Sequence, residues 1–88
     1  MPTLKLVIHG KVQGVFFRAS ASKIAELNHI TGWIKNTADG KVEALVTGNS
    51  GDIKQFTNWC SQGPPKANVN KVETVEIEEI DFPDFKIL

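Results

Sequence analysis

The segment that sets the fold is residues 3–18, which read TLKLVIHGKVQGVFFR. Its first part alternates in polarity, and this period of two predicts a half-buried strand over residues 3–9. The apolar side of that strand consists of Leu4, Leu6 and Ile8. Gly10 ends the strand, and apolar residues then recur at helical spacing from Phe17 to Asn28. A strand therefore leads through a glycine-containing loop into an amphipathic helix.

The rest of the chain predicts a hairpin, a second helix and a closing pair of strands. The predicted strands are Gly32–Lys35, Val42–Val46, residues 69–80 and Phe85–Leu88, and the second helix runs from a cap at Asn49 or Ser50 to Gly63-Pro64-Pro65. Val69 and Val75 share a parity that Val72 breaks, which predicts a bulge in the fourth strand.

The order β-α-β-β-α-β is that of the split βαβ, or ferredoxin-like, arrangement. We therefore predict an α+β fold in which two helices cover one face of an antiparallel sheet. In this topology the first two strands point the same way, because each is antiparallel to the third. The loop after the first strand should consequently lie beside Asn36 and Thr37, at the end of the second.

Size and composition narrow the class of protein. A chain of 88 residues predicts one domain, residues 1–88. Ten basic and ten acidic residues give a net charge of zero, which disfavours nucleic acid as a partner because phosphate backbones demand a basic excess. A single cysteine, Cys60, precludes an internal disulfide. The absence of a long apolar run predicts no membrane partner. We expect a cytoplasmic monomer.

The loop of residues 10–18, here called the anion loop, is suited to hold a phosphate-like group. Its two glycines allow backbone N–H groups to converge, and the following helix contributes free N–H donors and a partial positive charge. Arg18 is the only arginine beside nine lysines, and its guanidinium can form two parallel hydrogen bonds to an oxyanion.

The chemistry of the loop is limited by what it lacks. No Gly-Lys-Ser/Thr follows the glycines, Val12 stands where a phosphatase cysteine would be needed, and no residues have metal-ligand spacing. His9 and His29 are interpreted as structural. A site without a general acid suits a leaving group that departs as a stable anion, such as the carboxylate of an acyl phosphate. No pocket for the acyl group is evident, so loose acyl selectivity is expected.

These residues resemble the acylphosphatase family. The match is carried by Gly10–Arg18, by Gly32-Trp33-Ile34-Lys35-Asn36 with Gly40-Lys41-Val42 and Gly48, by Gly63-Pro64-Pro65 and by Phe85-Lys86-Ile87. The resemblance implies hydrolysis of acyl phosphates to carboxylate and inorganic phosphate, with no metal or other cofactor. It assigns phosphate binding to Arg18 and to backbone N–H groups of the loop, and the attacking water to Asn36. The phosphate-binding residues implied are Gln13, Gly14, Val15, Phe16, Phe17 and Arg18. Thr37 is implied to support the asparagine, and a phosphate oxygen of the substrate to accept the proton of the water.

Two departures from the family pattern affect local geometry. Asn28-His29 replaces a leucine and a helix-ending glycine, which makes the end of the first helix uncertain. Leu88 stands where an arginine or tyrosine is common, and a weaker contact between the carboxylate and the loop is expected. The alternative to an enzyme is a non-catalytic anion-binding or RNA-binding module on the same fold. Against RNA, the first and third strands lack aromatic residues.

Overall fold

A computed structural model describes all 88 residues as five strands and two helices. The strands are β1 (Thr3–Lys11), β2 (Thr31–Asn36), β3 (Val42–Thr47), β4 (Asn68–Ile77) and β5 (Phe85–Ile87), and the helices are α1 (Phe17–Leu27) and α2 (Ser50–Gln62). The side chain of Asn49 accepts a hydrogen bond of 2.8 Å from the Asp52 N–H, so Asn49 is the cap of α2.

The strands form one sheet in the order β4-β1-β3-β2-β5. β3 is antiparallel to both β1 and β2, so β1 and β2 point the same way, as the sequence predicts. The predicted antiparallel sheet needs one correction, because β5 lies parallel to β2 and makes the sheet mixed. β4 and β5 lie at opposite edges of the sheet, so the chain crosses the sheet between them. The first six elements follow the order βαββαβ, which confirms the predicted ferredoxin-like arrangement.

The core lies between one face of the sheet and the two helices. The alternation of β1 places Leu6 and Ile8 on this face, where both are fully buried. The helices contribute residues at helical spacing, and the core side chains they bury are Phe17, Ala21, Ala25, Ile53, Phe56 and Cys60. Phe17 also packs edge-to-face against Trp59, with 5.3 Å between ring centroids.

The predicted irregularity of β4 is present. The register shifts opposite His9 and Gly10, which pair with Lys71 and Val69, so Asn70 is the extra residue of a bulge. Because of this extra residue, the side chains of Val69 and Val72 both pack against the core, although strict alternation would place them on opposite faces of the sheet. Gly10 is required here because its φ is 124° and an added Cβ would lie 2.1 Å from the Asn68 carbonyl oxygen.

β4 ends at Ile77 rather than at the predicted residue 80. Two buried threonine hydroxyls account for the earlier end, because they take the place of a neighbouring strand as hydrogen-bond partners of the Ile80 main chain. Thr3 Oγ1 accepts from the Ile80 N–H at 2.9 Å, and Thr47 Oγ1 donates to the Ile80 carbonyl oxygen at 2.8 Å.

The end of α1 forms without glycine. His29 adopts a left-handed φ of 55°, and the Ile30 N–H donates to the Ala25 carbonyl oxygen at 2.9 Å, which completes a Schellman-type end. Asn28 Nδ2 also donates to the Ile24 carbonyl oxygen at 2.9 Å. Asn28-His29 therefore still form an ordinary helix end, although His29 is an unfavourable residue for the left-handed position.

Neither helix is long and apolar enough to cross a bilayer.

Candidate active site

A cleft of about 320 Å³ opens where the anion loop, the start of α1, the end of β2 and β5 meet. It is lined by Val12, Gly14, Phe16, Phe17, Arg18, Ala19, Asn36 and Ile87. The topology explains the meeting of distant residues, because β1 and β2 deliver their ends to the same edge of the sheet. Asn36 lies two positions after the buried Ile34 and therefore on the same, helix-covered face.

The anion loop contains two residues with left-handed backbone conformations. Gly14 has a φ of 73° and Phe16 a φ of 65°, both left-handed. No side chain caps α1, whose first turn also carries no acidic residue. Its first intrahelical bond joins the Ser20 N–H to the Phe16 carbonyl oxygen, so the N–H groups of Phe17, Arg18 and Ala19 have no acceptor within the helix. These free N–H donors and the positive end of the helix dipole make the start of α1 suited to bind an anion.

The side chain of Gln13 connects the anion loop to the β2–β3 turn. Its Nε2 donates to the carbonyl oxygens of Thr37, at 2.8 Å, and Lys41, at 2.9 Å. These two bonds span the gap between the loop and the residue that follows Asn36. Sequence reasoning placed Gln13 only as a backbone donor, and the role of its side chain as a connection was missed.

Thr37 organises the turn after Asn36. Its Oγ1 accepts from the Lys41 N–H at 3.0 Å and is hydrogen-bonded to the Asp39 carboxylate. The bond from Thr37 lowers the pKa of Asp39, and Lys41 lowers it further. The side-chain bonds of Thr37 all stay within this turn, so direct support of the Asn36 amide by Thr37 stays a prediction.

The guanidinium of Arg18 is held by the last residue of the chain. Arg18 Nη1 donates to the main-chain oxygen of Leu88 at 3.1 Å, and the Leu88 N–H donates to the Ile34 carbonyl oxygen at 2.8 Å. A contact between Leu88 and the loop, which the sequence led us to expect, is therefore present, and it uses a main-chain oxygen rather than the Leu88 side chain. One of the five N–H donors of the guanidinium is occupied, and the remainder are available to an oxyanion.

The structure thus brings most of the predicted site residues to one cleft. Gly14, Phe16, Phe17, Arg18 and Asn36 line it, whereas the Val15 side chain is buried in the core. No group of three histidine, cysteine, aspartate or glutamate side chains is arranged to hold a metal ion.

Comparison with known proteins identifies the family. The acylphosphatase family model matches residues 4–87. An acylphosphatase of Coxiella burnetii is 43% identical over 84 residues, which are 96% of this chain and 88% of the relative. The chain belongs to the acylphosphatase family. It is therefore a hydrolase of acid anhydrides that acts on acyl phosphates.

Two solved acylphosphatases share the fold over nearly their whole length. A structure from Coxiella burnetii superposes with a TM-score of 0.95 at 41% identity and covers 99% of this chain and 92% of that chain. One from Bacillus subtilis superposes with a TM-score of 0.96 at 29% identity, covering 100% and 99%. Membership of the acylphosphatase family disfavours the alternative of a non-catalytic binding module. The expected substrates are acyl phosphates, and the expected product is inorganic phosphate.

Proposed function

We propose that the cleft hydrolyses acyl phosphates by direct attack of water on phosphorus, assisted by the substrate itself. Arg18 and the backbone N–H groups of residues 13–18 hold the phosphate group. The observation that carries this proposal is the convergence on one cleft of the uncapped start of α1, the Arg18 guanidinium and Asn36.

Asn36 is proposed to orient the attacking water. A new bond forms between the water oxygen and phosphorus, while the bond between phosphorus and the acyl oxygen breaks. The acyl oxygen keeps the bonding electron pair and departs as a carboxylate, and the proton of the water passes to a phosphate oxygen. Because a carboxylate is a stable anion, the step requires no general acid from the protein.

The contribution of the protein is then positioning and charge stabilisation. Donors that are fixed before the reaction stabilise the oxygens of the transferring phosphoryl group without reorganising. The contact with Leu88 fixes the Arg18 guanidinium, and Gln13 fixes the loop against the turn that follows Asn36. These two contacts restrain the Arg18 side chain and the loop before the substrate binds.

The test is hydrolysis of acetyl phosphate by the purified chain, with and without EDTA, beside hydrolysis of glycerol 2-phosphate, an alkyl monoester whose poor leaving group requires a general acid. Turnover of acetyl phosphate that is unchanged by EDTA, with at least a thousandfold slower cleavage of the ester on the scale of a missing general acid, is expected. Loss of turnover in EDTA, or comparable cleavage of the ester, would contradict the proposed mechanism.

A further inference from the structure

β4 forms one edge of the sheet, and β1 is the only strand that pairs with it. Only Val69, Val72 and Ile77 of its ten residues are half-buried, and the rest are exposed. The exposed residues include Val75, an apolar side chain with 58% of its surface accessible. Because an edge strand directs part of its N–H and C=O groups away from the sheet, β4 presents unpaired main-chain donors and acceptors to a further strand.

The neighbouring helix leaves this edge accessible. A groove of about 400 Å³ lies between α2 and β4. Its polar or charged lining residues come in equal number from the helix and from the strand, and they are Thr57, Asn58, Ser61, Asn70, Lys71 and Thr74. The groove therefore has room for the side chains of an added strand on the helix side of the sheet.

Charge is unevenly distributed along β4 and its flanking residues. Residues 64–72 carry two lysines, Lys66 and Lys71, and no acidic residue. Residues 73–81 carry five acidic residues and no basic one. Charged side chains on an edge commonly discourage pairing. A parallel copy of this segment would place like charges side by side, whereas an antiparallel copy sets the basic half of one strand against the acidic half of the other.

One register of such an antiparallel pair also matches the strand residue by residue. With Val72 opposite Val72, Lys71 of each copy lies opposite Glu73 of the other. Asn70 then lies opposite Thr74, so two polar side chains meet. Moving the centre by one residue would place Glu73 opposite Glu73.

The two charged side chains of this register are available to a second copy. Lys71 Nζ and Glu73 Oε2 are 3.9 Å apart within one strand, so both lie on the same face of the sheet. Their side chains are 64% and 49% exposed. An opposite charge on the facing strand can therefore approach each of them.

We infer that β4 pairs antiparallel with β4 of a second copy of this chain, with Val72 opposite Val72, and so forms a weak, reversible dimer. Main-chain hydrogen bonds supply the association, and the charge pairs select its direction and register. The candidate active site lies beside β5, at the opposite edge of the sheet, so both clefts stay open in the dimer. The inference replaces the expectation of a monomer and does not depend on the proposed function.

The test is sedimentation equilibrium at low ionic strength, at concentrations of the native chain and its variants up to about 1 mM. Lys71→Glu makes both facing pairs acidic, and Glu73→Lys makes both basic. The matched control is Lys23→Glu, the same charge change at an exposed position of α1, the helix that packs against β2 and β5. Far-UV circular dichroism verifies that each variant is folded.

We expect the average mass of the native chain to rise with concentration from 9.7 kDa toward twice that value. The association constant should decrease about tenfold in Lys71→Glu and in Glu73→Lys, because two unlike pairs become like pairs. It should not change in Lys23→Glu. An equimolar mixture of the two β4 variants has unlike charges in both pairs again, and it should associate as the native chain does.

A native chain that keeps the monomer mass up to about 1 mM would overturn the inference. Association of both β4 variants that equals the native association would overturn it as well, because the chain would then pair through another surface. A mixture of the two variants that associates no more than either variant alone would exclude the proposed register and antiparallel direction.

Discussion

The connection made by Gln13 gives the most specific structural prediction. In Gln13→Glu the side chain keeps its shape, but its NH₂ donor becomes a carboxylate oxygen that faces the carbonyl oxygens of Thr37 and Lys41. The two hydrogen bonds, of 2.8 and 2.9 Å, are lost. Each is part-buried and has a net value of about 0.5–1.5 kcal/mol, so the free energy of unfolding should fall by about 1–3 kcal/mol.

For a chain of this length, a loss of that size corresponds to a decrease in Tm of about 5–15 °C. The assay is thermal unfolding followed by circular dichroism at neutral pH. The matched control is Gln55→Glu, the same chemical change at an exposed position of α2, where the free energy of unfolding should stay within about 0.5 kcal/mol. A Gln13→Glu variant with the same Tm as Gln55→Glu would refute the reasoning.

Loss of the hydrogen bonds made by Gln13 should also lower the rate of acetyl phosphate hydrolysis. Gln13→Ala removes both hydrogen bonds without adding a negative charge beside the anion site. Because the loop and the turn after Asn36 are then free to separate, kcat for acetyl phosphate should decrease at least tenfold, since small misplacements of reacting groups have large effects on rate. Unchanged kcat would show that the connection serves stability alone.

Two further predictions concern Arg18 and the end of α1. Arg18→Lys keeps the charge but loses the planar pair of donors, so transition-state stabilisation should fall by about 2–4 kcal/mol, read from kcat/KM for acetyl phosphate. A lysine variant within twofold of the native chain would exclude Arg18 as the phosphate clamp. His29→Gly should raise the free energy of unfolding by about 0.5–1 kcal/mol in a denaturant titration, because glycine removes the left-handed penalty but adds freedom to the unfolded chain. Asn28→Gly is its control and should be destabilising, since Asn28 has a φ of −108° and donates a side-chain hydrogen bond; a gain of stability in that variant would contradict the explanation.

Much of the fold could be predicted because local pattern and tertiary burial agree. The alternation of β1 and a cap of α2 at Asn49 or Ser50 are properties of short segments, and the structure has both, with the cap at Asn49. β4 was predicted three residues too long because its end depends on Thr3 and Thr47, which come from other strands. The parallel pairing of β5 with β2 likewise has no local signature.

For the candidate site, the sequence predicted which side chains lie near one another, but it did not predict the hydrogen bonds by which the Gln13 side chain connects the loop to the β2–β3 turn. Arg18 and Asn36 could be placed near one another because the predicted topology brings the ends of β1 and β2 to one edge of the sheet, and both line the cleft. Their roles in binding phosphate and water come from the family resemblance and stay predictions. The hydrogen bonds of the Gln13 side chain end on the carbonyl oxygens of Thr37 and Lys41, which are main-chain atoms that every residue possesses. Ile87 was missed for a further reason, since its place in the cleft follows from the strand order alone.

The central claim is a division of labour, in which Arg18 and the anion loop bind phosphate and Asn36 orients water. It predicts that the native chain and Asn36→Ala bind inorganic phosphate alike. At a phosphate concentration about a hundred times the Kd, bound phosphate should stabilise the fold by about 2.7 kcal/mol, which raises Tm by about 10 °C or more. Arg18→Ala should show little of this increase.

One measurement tests this claim most directly: the phosphate-induced change in Tm of Asn36→Ala, beside its turnover of acetyl phosphate. The predicted result is a native increase in Tm together with a loss of turnover of at least a hundredfold, because the water has lost its positioning group. An Asn36→Ala protein that phosphate no longer stabilises would show that the amide binds the anion itself. Near-native turnover in that variant would contradict the claim equally.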